Sequence, residues 1–311
     1  MSDSTITEHR TAEHRTAESR TAAPAGSDSK ADVAVAYDVD NEFFRLWLDP
    51  SMNYSCAVFD DTDDFYQAQQ AKLAVIADFA HVRPTSRVLD IGCGWGANLE
   101  FLVRERKVAE AHGITLSQAQ YDEVLRRELP GATAHCVDYR EYEPQTPFDA
   151  VTSICMVEHV CSMDDVRSGR APEKYGEYFR RAWRWTRPGA HFGLQTILRD
   201  RIPRTSEDIR EIGWASRHIF PGGIAPRIEE ILWGSAPYWE LVQLRTRRLD
   251  YQRTCEQWRD NLRREESVIR ETWGDQLFVD YDRYLTACVN GFARRQLSLA
   301  QWSLRRIDDA E

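Results

Sequence analysis

The stretch RVLDIGCGWG, residues Arg87–Gly96, decides the fold of this chain. Val88, Leu89 and Ile91 are apolar, and two of them are β-branched, which predicts a short buried strand over residues 88–91. Three glycines at every second position follow, and residues Ala97–Val103 then show the apolar spacing of a helix. A strand, a glycine turn and a helix in this order are typical of the cofactor cradle of an open α/β sheet, because glycine lets the backbone lie directly against a ligand.

The spacing of these glycines distinguishes between cofactors. Gly92, Gly94 and Gly96 form the pattern G-x-G-x-G, whereas a dinucleotide site has G-x-G-x-x-G. With Asp90 directly before the turn, the pattern suits the amino-acid end of S-adenosylmethionine (SAM). The turn therefore predicts a SAM site and disfavours an NAD-dependent oxidoreductase.

Further strands and helices alternate after this stretch. This predicts an α/β fold with a doubly wound, mainly parallel, Rossmann-like sheet. The strands are expected at residues 110–115, 133–138, 148–154 and 191–197, with a closing strand near 296–304. We expect a disordered polar tail over residues 1–32 and one domain over 33–311, in which cap helices occupy about 37–82 and an inserted helical lid about 199–238.

Composition limits the function classes. The 311 residues are 42% hydrophobic and 29% charged, which is ordinary for a soluble enzyme. The net charge of −10 argues against broad binding to nucleic acid, and no apolar run is long enough to span a membrane. The seven cysteines show no CxxC pair, so we expect no metal site and a cytoplasmic location. A homo-oligomer is left open.

Four more motifs, one before the glycine turn and three after it, together carry a resemblance. They are Tyr37–Phe59, Gly113–Ser117, Glu158-His159 and Phe220–Gly223. With the glycine turn, they make the chain similar to the SAM-dependent cyclopropane synthases of mycolic acids and other fatty acyl chains, from about residue 34 onward. The resemblance implies a class I SAM-methyltransferase fold, SAM as the cofactor with S-adenosylhomocysteine (SAH) as its product, and a lipophilic small-molecule substrate.

The resemblance also assigns cofactor contacts. Thr115 and Gln120 take the ribose hydroxyls, a role that an acidic residue fills in a generic SAM or NAD site. Asp138 and Tyr139, at the end of the third strand, suit the amino group and the face of the adenine. The other expected cofactor residues are Tyr54, Ser55, Asp90, Gly92, Gly94, Gly96 and Ile154.

The family's reaction implies the catalytic residues. A methyl group passes to an alkene carbon, a bound bicarbonate removes a proton from the resulting carbocation, and the ring closes. The family's anion ligands fall on Cys56, Glu158, Tyr251 and the Ile154 amide. Its histidine position falls on Gln195, which donates a hydrogen bond but carries no charge, so we expect weak bicarbonate binding. The aromatic faces around the cation are expected from Tyr37, Trp214, Phe220 and Tyr251.

These observations favour a SAM-dependent C-methyltransferase that acts on the alkene of a terpenoid or other natural product. The carbocation would then be deprotonated or would drive cyclisation. Gln195 supports this prediction, as do charged lid residues such as Glu207, Arg210 and His218. The alternative is a cyclopropane synthase acting on unsaturated fatty acyl or mycolic acyl chains. A noncatalytic SAM-fold binding protein is a third hypothesis, which a turnover assay distinguishes from the two enzymes.

Overall fold

The computed structural model describes residues 39–310, so Tyr37 and the predicted tail lie outside the described residues. Seven strands form one sheet in the order β3-β2-β1-β4-β5-β7-β6. Their bounds are β1 Arg87–Ile91, β2 Glu110–Thr115, β3 Ala132–Cys136, β4 Phe148–Ile154, β5 Thr186–Arg199, β6 Trp239–Thr246 and β7 Leu297–Arg306. Among these strands, β7 alone runs opposite to the other six, and it pairs antiparallel with both β5 and β6. This confirms the predicted doubly wound, mainly parallel sheet.

Eleven α-helices of the described chain surround the sheet. They are α1 Asn41–Arg45, α2 Phe65–Phe79, α3 Ala97–Arg104, α4 Gln118–Arg126, α5 Met163–Arg167, α6 Ala171–Arg184, α7 Ser206–His218, α8 Ile228–Ser235, α9 Arg248–Arg264, α10 Glu266–Trp273 and α11 Asp275–Ala293. A single 3₁₀ turn, Val157–His159, follows β4.

The order of the strands positions the site. Strand β1 has parallel neighbours on both sides, β2 and β4, which explains why Val88, Leu89 and Ile91 are all apolar and buried. The chain winds outward in opposite directions from β1 and β4, so a crevice opens at their carboxyl ends. Open α/β sheets bind their ligands in such a crevice.

The predicted lid divides into two parts. Helix α7 and the loop after it lie beside the carboxyl-end crevice, where Phe220 packs 6.2 Å from the ring of Tyr54. Helix α8 instead belongs to the body of the domain, because Ile231 is fully buried in the same apolar core as Tyr175 of α6. The sequence of α8 alone does not show that its apolar face packs against α6, so the helix was predicted to belong to the lid.

A second, aromatic core adjoins the crevice. It forms where α1, α9 and α11 meet, and it includes Trp47, Trp258 and Tyr281. Trp95 of the glycine turn and Cys56 belong to the same core as Phe43 and Phe44 of α1, so α1 is packed directly against the glycine turn.

Candidate active site

The three glycines of the turn do different jobs. All three have positive φ values, of 82°, 54° and 89°, which favour glycine. A Cβ on Gly92 would lie 2.7 Å from the side chain of Met156, whereas one on Gly94 would have no atom within 4 Å and would face the crevice. A Cβ on Gly96 would meet Val124 of α4 at 2.9 Å. Gly96, predicted to touch the cofactor, instead caps α3 and lets it pack against α4.

A pocket lies over this turn at the carboxyl ends of β1, β2 and β4. We call it the cofactor pocket. The predicted cofactor residues that line it are Tyr54, Ser55, Asp90, Gly92, Gly94, Thr115, Gln120, Tyr139 and Ile154. These come from five separate segments of the chain, and their cofactor contacts remain predictions.

The predicted ribose pair is held together. The hydroxyl of Thr115 donates to Oε1 of Gln120 at 2.8 Å, and the backbone N–H of Ser117 donates to the same hydroxyl at 3.3 Å. Ser117 also caps helix α4, which fixes the helix turn that carries Gln120. Two buried polar side chains are thus set side by side at the end of β2.

Asp138 does not reach the cofactor pocket as predicted. Its carboxylate pairs with the guanidinium of Arg140, whose Nε lies 3.0 Å from both carboxylate oxygens. The wall is made by Val137 and Tyr139 instead. Because Arg140, two residues further on, pairs with this carboxylate, Asp138 is not directed at the pocket, and its contact with the adenine amino group remains a prediction.

Asp90 is buried at the end of β1. The hydroxyl of Thr152 donates to its Oδ1 at 2.9 Å, and Asn98 in turn donates to that hydroxyl at 3.0 Å. Burial raises the pKa of Asp90 to about 6, although these hydrogen bonds oppose the shift. The carboxylate is therefore held by neutral donors and lines the pocket.

Lys72 is a pocket residue that the sequence reasoning missed. It points from α2 into the protein, is 1% exposed, and donates to Oδ1 of Asn53 at 2.8 Å and to Oγ of Ser55 at 3.0 Å. Burial lowers the pKa of Lys72 to about 8, against the attraction of nearby acidic groups that include Asp90. A signal was present: Lys72 stands between Ala68 and Ile76 on the buried face of α2, whose other residues are apolar apart from Gln69.

Five side chains lie together behind the pocket, four of them buried and Cys155 half-buried, and we call them the inner cluster. They are Cys56, Cys155, Glu158, Gln195 and Tyr251. Four were predicted as catalytic. Cys155 was missed, yet it also lines the cofactor pocket, so it joins the two regions. Its φ of 52° is unusual for a residue with a side chain, a sign of local strain that no sequence pattern shows.

Glu158 is the titratable carboxylate of this cluster. Its Oε1 accepts the backbone N–H of Ile197 at 2.6 Å, while Oε2 is buried without a well-aligned hydrogen-bond partner among the described residues. Burial raises the pKa of Glu158 to about 7, and the nearby Thr196 and Cys155 side chains only partly offset this. The group therefore changes its charge near neutral pH.

The rest of the inner cluster is neutral. Burial raises the pKa values of Cys56, Cys155 and Tyr251, so the two thiols and the phenol keep their protons. Gln195 is fully buried and its Nε2 lies 3.7 Å from Sγ of Cys155. Burial also lowers the pKa of His159 in the pocket wall to about 4, so this imidazole supplies no charge.

Aromatic rings surround the cluster, but not all the predicted ones. Phe220 packs 5.5 Å from Tyr284, and Tyr251 packs 6.0 Å from Trp258. Trp214 is stacked on His218 and covered by Arg283, whose guanidinium lies 4.1 Å from the ring centre. The ring of Trp214 is thus engaged by two other side chains and is not offered to a substrate cation.

Two searches of the described residues bear on other functions. Between residues 39 and 310 there is no group of three or more His, Cys, Asp or Glu residues that could hold a metal ion. Within the same range no helix combines the length and the apolar character needed to cross a membrane.

Comparisons with known proteins agree with this geometry. Residues 26–302 match the family described as mycolic acid cyclopropane synthetase. The cyclopropane-fatty-acyl-phospholipid synthase of Escherichia coli K12 is 32% identical over 85% of this chain, and the match spans 65% of that protein's length. Cyclopropane mycolic acid synthase 2 of Mycobacterium bovis is 31% identical over 86% of this chain and 92% of its own length.

A solved structure extends the comparison to the fold. The mycolic acid cyclopropane synthase CmaA1, complexed with SAH and CTAB, superposes with a TM-score of 0.81 at 26% identity, covering 89% of this chain and 98% of CmaA1. The family predicted from the motifs is confirmed by both kinds of comparison. This chain belongs to the mycolic acid cyclopropane synthetase family.

Proposed function

We propose that this protein transfers the methyl group of SAM to the double bond of an unsaturated fatty acyl chain and that a cyclopropane is the product. The names of the relatives support an acyl substrate: one acts on fatty acyl phospholipids and one on mycolic acids. Neither name refers to a terpenoid, so the comparisons fit the alternative better than our leading prediction.

The observation that carries the proposal is that the inner cluster directly adjoins the cofactor pocket. Cys155 belongs to both, and Glu158 lies beside it. SAM supplies a methyl group on a sulfonium, so that attack by the alkene forms one C–C bond, releases neutral SAH and leaves a cation on the neighbouring carbon. A dry, aromatic surrounding stabilises such a cation.

Glu158 provides the place for the proton. Ring closure needs one proton to leave the transferred methyl group, and the C–H electron pair then forms the third bond of the ring. A carboxyl group with a pKa of about 7 can take up that proton directly when it is ionised, or, when it is protonated, donate a hydrogen bond to a bicarbonate that takes up the proton. Because Cys56 and Tyr251 keep their protons, they do not present a thiolate or a phenolate, the stronger nucleophiles, to the cation.

The residues of the cofactor pocket fit SAM. Gly94 leaves space at the turn, Thr115 and Gln120 offer paired polar groups for the ribose, and Tyr139 offers a ring for the adenine. We add Lys72 to the predicted set. Its buried ammonium lies at the Ser55 side of the pocket and suits the carboxylate of the methionine part.

Gln195 favours a second outcome, methylation without ring closure. A neutral amide holds bicarbonate less firmly than a charged imidazole, so the cation would lose a different proton and leave a methylated alkene.

The cytoplasmic location, suggested by seven free cysteines, and a homo-oligomeric state remain predictions.

A product analysis tests the proposal. The protein is incubated with ¹³C-methyl SAM and vesicles of dioleoylphosphatidylglycerol, with and without added bicarbonate, and the lipids are analysed by NMR. Label in a cyclopropane methylene supports the main proposal, and label in a methyl or methylidene group supports the second. A folded protein that binds SAH yet labels no lipid would contradict both and favour the noncatalytic hypothesis.

A further inference from the structure

A chain of buried polar side chains ends at Gln195. The Nε2 of Gln301 donates to Oε1 of Gln195 at 2.9 Å, and the Nε of Arg247 donates to Oε1 of Gln301 at 3.3 Å. All three residues are buried, and Gln195 and Gln301 face each other across the β5–β7 pair. The chain thus links the start of α9 to the inner cluster through the sheet.

The direction of this chain follows from chemistry. A guanidinium has only donors, so Gln301 must turn its carbonyl oxygen towards Arg247 and its NH₂ group towards Gln195. Gln195 must then present its own oxygen to Gln301, which leaves its NH₂ group facing Cys155, 3.7 Å from the sulfur. Turning over either amide would set two donors or two acceptors against each other in a buried place, which is costly.

The charge of Arg247 does not travel along the chain. Its Nη2 donates to Asp60 at 2.7 Å and its Nη1 donates to Asp250 at 3.1 Å, so two carboxylates balance one guanidinium. Arg247 therefore sets the orientation of the two amide groups and adds no net charge to the inner cluster. The amide of Gln195 arrives there as a fixed donor.

We propose that Arg247 and Gln301 are positioning residues that fix the amide of Gln195 as a hydrogen-bond donor to an oxygen bound in the inner cluster. The oxygen belongs to a water or to a bicarbonate, the proton acceptor of the reaction. The functional part of this inference rests on the proposed function, whereas the orientation of the amide can be tested without it.

The variant Gln301→Glu tests the orientation, because it keeps the shape of the side chain and removes its donor. The carboxylate accepts from Arg247, and Gln195 must turn its NH₂ group towards position 301. We expect NOEs between the Gln195 side-chain amide protons and the Cys155 β protons in the unsubstituted protein, and their loss in Gln301→Glu. Unchanged NOEs would overturn the proposal. Gln243→Glu, at an exposed position on the neighbouring strand β6, is the matched control.

Kinetics tests the consequence. With dioleoylphosphatidylglycerol vesicles, Gln301→Glu should lower turnover about tenfold, the equivalent of one ordinary hydrogen bond, with the SAH dissociation constant unchanged. Adding Gln195→His should restore most of the rate, because an imidazole can donate to the new carboxylate and still face Cys155. Two results would contradict the positioning role. Either the Gln195 amide reverses its orientation in Gln301→Glu while the catalytic rate is unchanged, or the rate falls and Gln195→His does not restore it. If the unsubstituted protein labels no lipid, the proposed function fails, and the NOEs alone decide the orientation.

Discussion

The cofactor pocket and the inner cluster adjoin each other but are built in opposite ways. The pocket turn is local: β1, the glycines and α3 follow one another over residues 87–104. The inner cluster joins residues as far apart as Cys56 and Tyr251, and four of its five members are neutral donors or thiols around one carboxylate. A local backbone cradle can bind a cofactor, whereas a dry reaction site needs several distant elements to close around it. Damage to the first should therefore remove binding, and damage to the second should remove turnover alone.

The largest effect is expected from Gly94→Val. A side chain at this position projects into the pocket, and the left-handed backbone, with φ of 54°, is strained by a β-branched residue. We expect no detectable SAH binding in isothermal titration calorimetry and no turnover. Gly189→Val is the matched control, because Gly189 has φ of 79°, an equally open Cβ position and a place far from the pocket. Full SAH affinity in a folded Gly94→Val protein would show that the pocket is not the SAM-binding site.

Glu158→Gln should separate the two regions most clearly. The amide keeps the shape but cannot take up a proton or attract a cation, so turnover should fall about 100-fold or more while SAH affinity stays within about twofold. The rate of the unsubstituted protein should rise with pH as Glu158 ionises near pH 7. The measurements are methyl transfer to oleoyl vesicles and titration with SAH. Equal losses of turnover and affinity would mean that the regions are not separable.

Lys72→Met tests a residue at the border of the two regions. Losing the ammonium should weaken SAH binding about tenfold, whereas 5′-methylthioadenosine, which lacks the carboxylate, should bind equally well to both proteins. Lys107→Met, at an exposed position, serves as the control. An equal loss for both ligands would show that Lys72 only supports the loop of Asn53 and Ser55.

The contrast between the two regions also explains what the sequence could predict. The glycine turn and the alternation of strands with helices are visible in neighbouring residues, so spacing and periodicity were sufficient to predict the doubly wound sheet. Thr115 and Gln120 were assigned through the family resemblance, and their cofactor contacts remain predictions. Gly96 and Asp138 are not among the residues that line the cofactor pocket, because Gly96 packs against Val124 and Asp138 pairs with Arg140, two neighbours that the motifs do not indicate. A motif gives the residue type at a position, but it does not show which neighbouring side chain contacts that residue.

The inner cluster was accessible only through the family resemblance. No periodicity brings Cys56 to Glu158, and their shared burial follows from β4, β5 and α9 meeting at one point. Cys155 had no motif of its own, and Lys72 was hidden in a helix whose pattern indicated only amphipathicity. The chain from Arg247 to Gln195 depends on strand register, since Gln195 pairs with Gln301 across β5 and β7. One residue of slip would have placed either glutamine on the other face.

The smallest expected effect is a difference in the pH dependence of stability between the two regions. Both carboxyls are buried, but the pKa of Glu158 is raised to about 7 and that of Asp90 to about 6. The folded state then binds more protons than the unfolded state above the ordinary pKa, so each group makes stability fall as the pH rises through its window. The window of Glu158 runs from about pH 4.5 to 7, and that of Asp90 from about pH 4 to 6.

Between pH 6 and 7, Glu158→Gln should therefore gain about 1 kcal/mol in unfolding free energy relative to the unsubstituted protein, and Asp90→Asn about a third of that. Urea unfolding of the ligand-free proteins at pH 5, 6, 7 and 8 measures both, and the pH-independent cost of each substitution cancels. Equal gains for the two variants over this interval would mean that the inner cluster is no drier than the cofactor pocket.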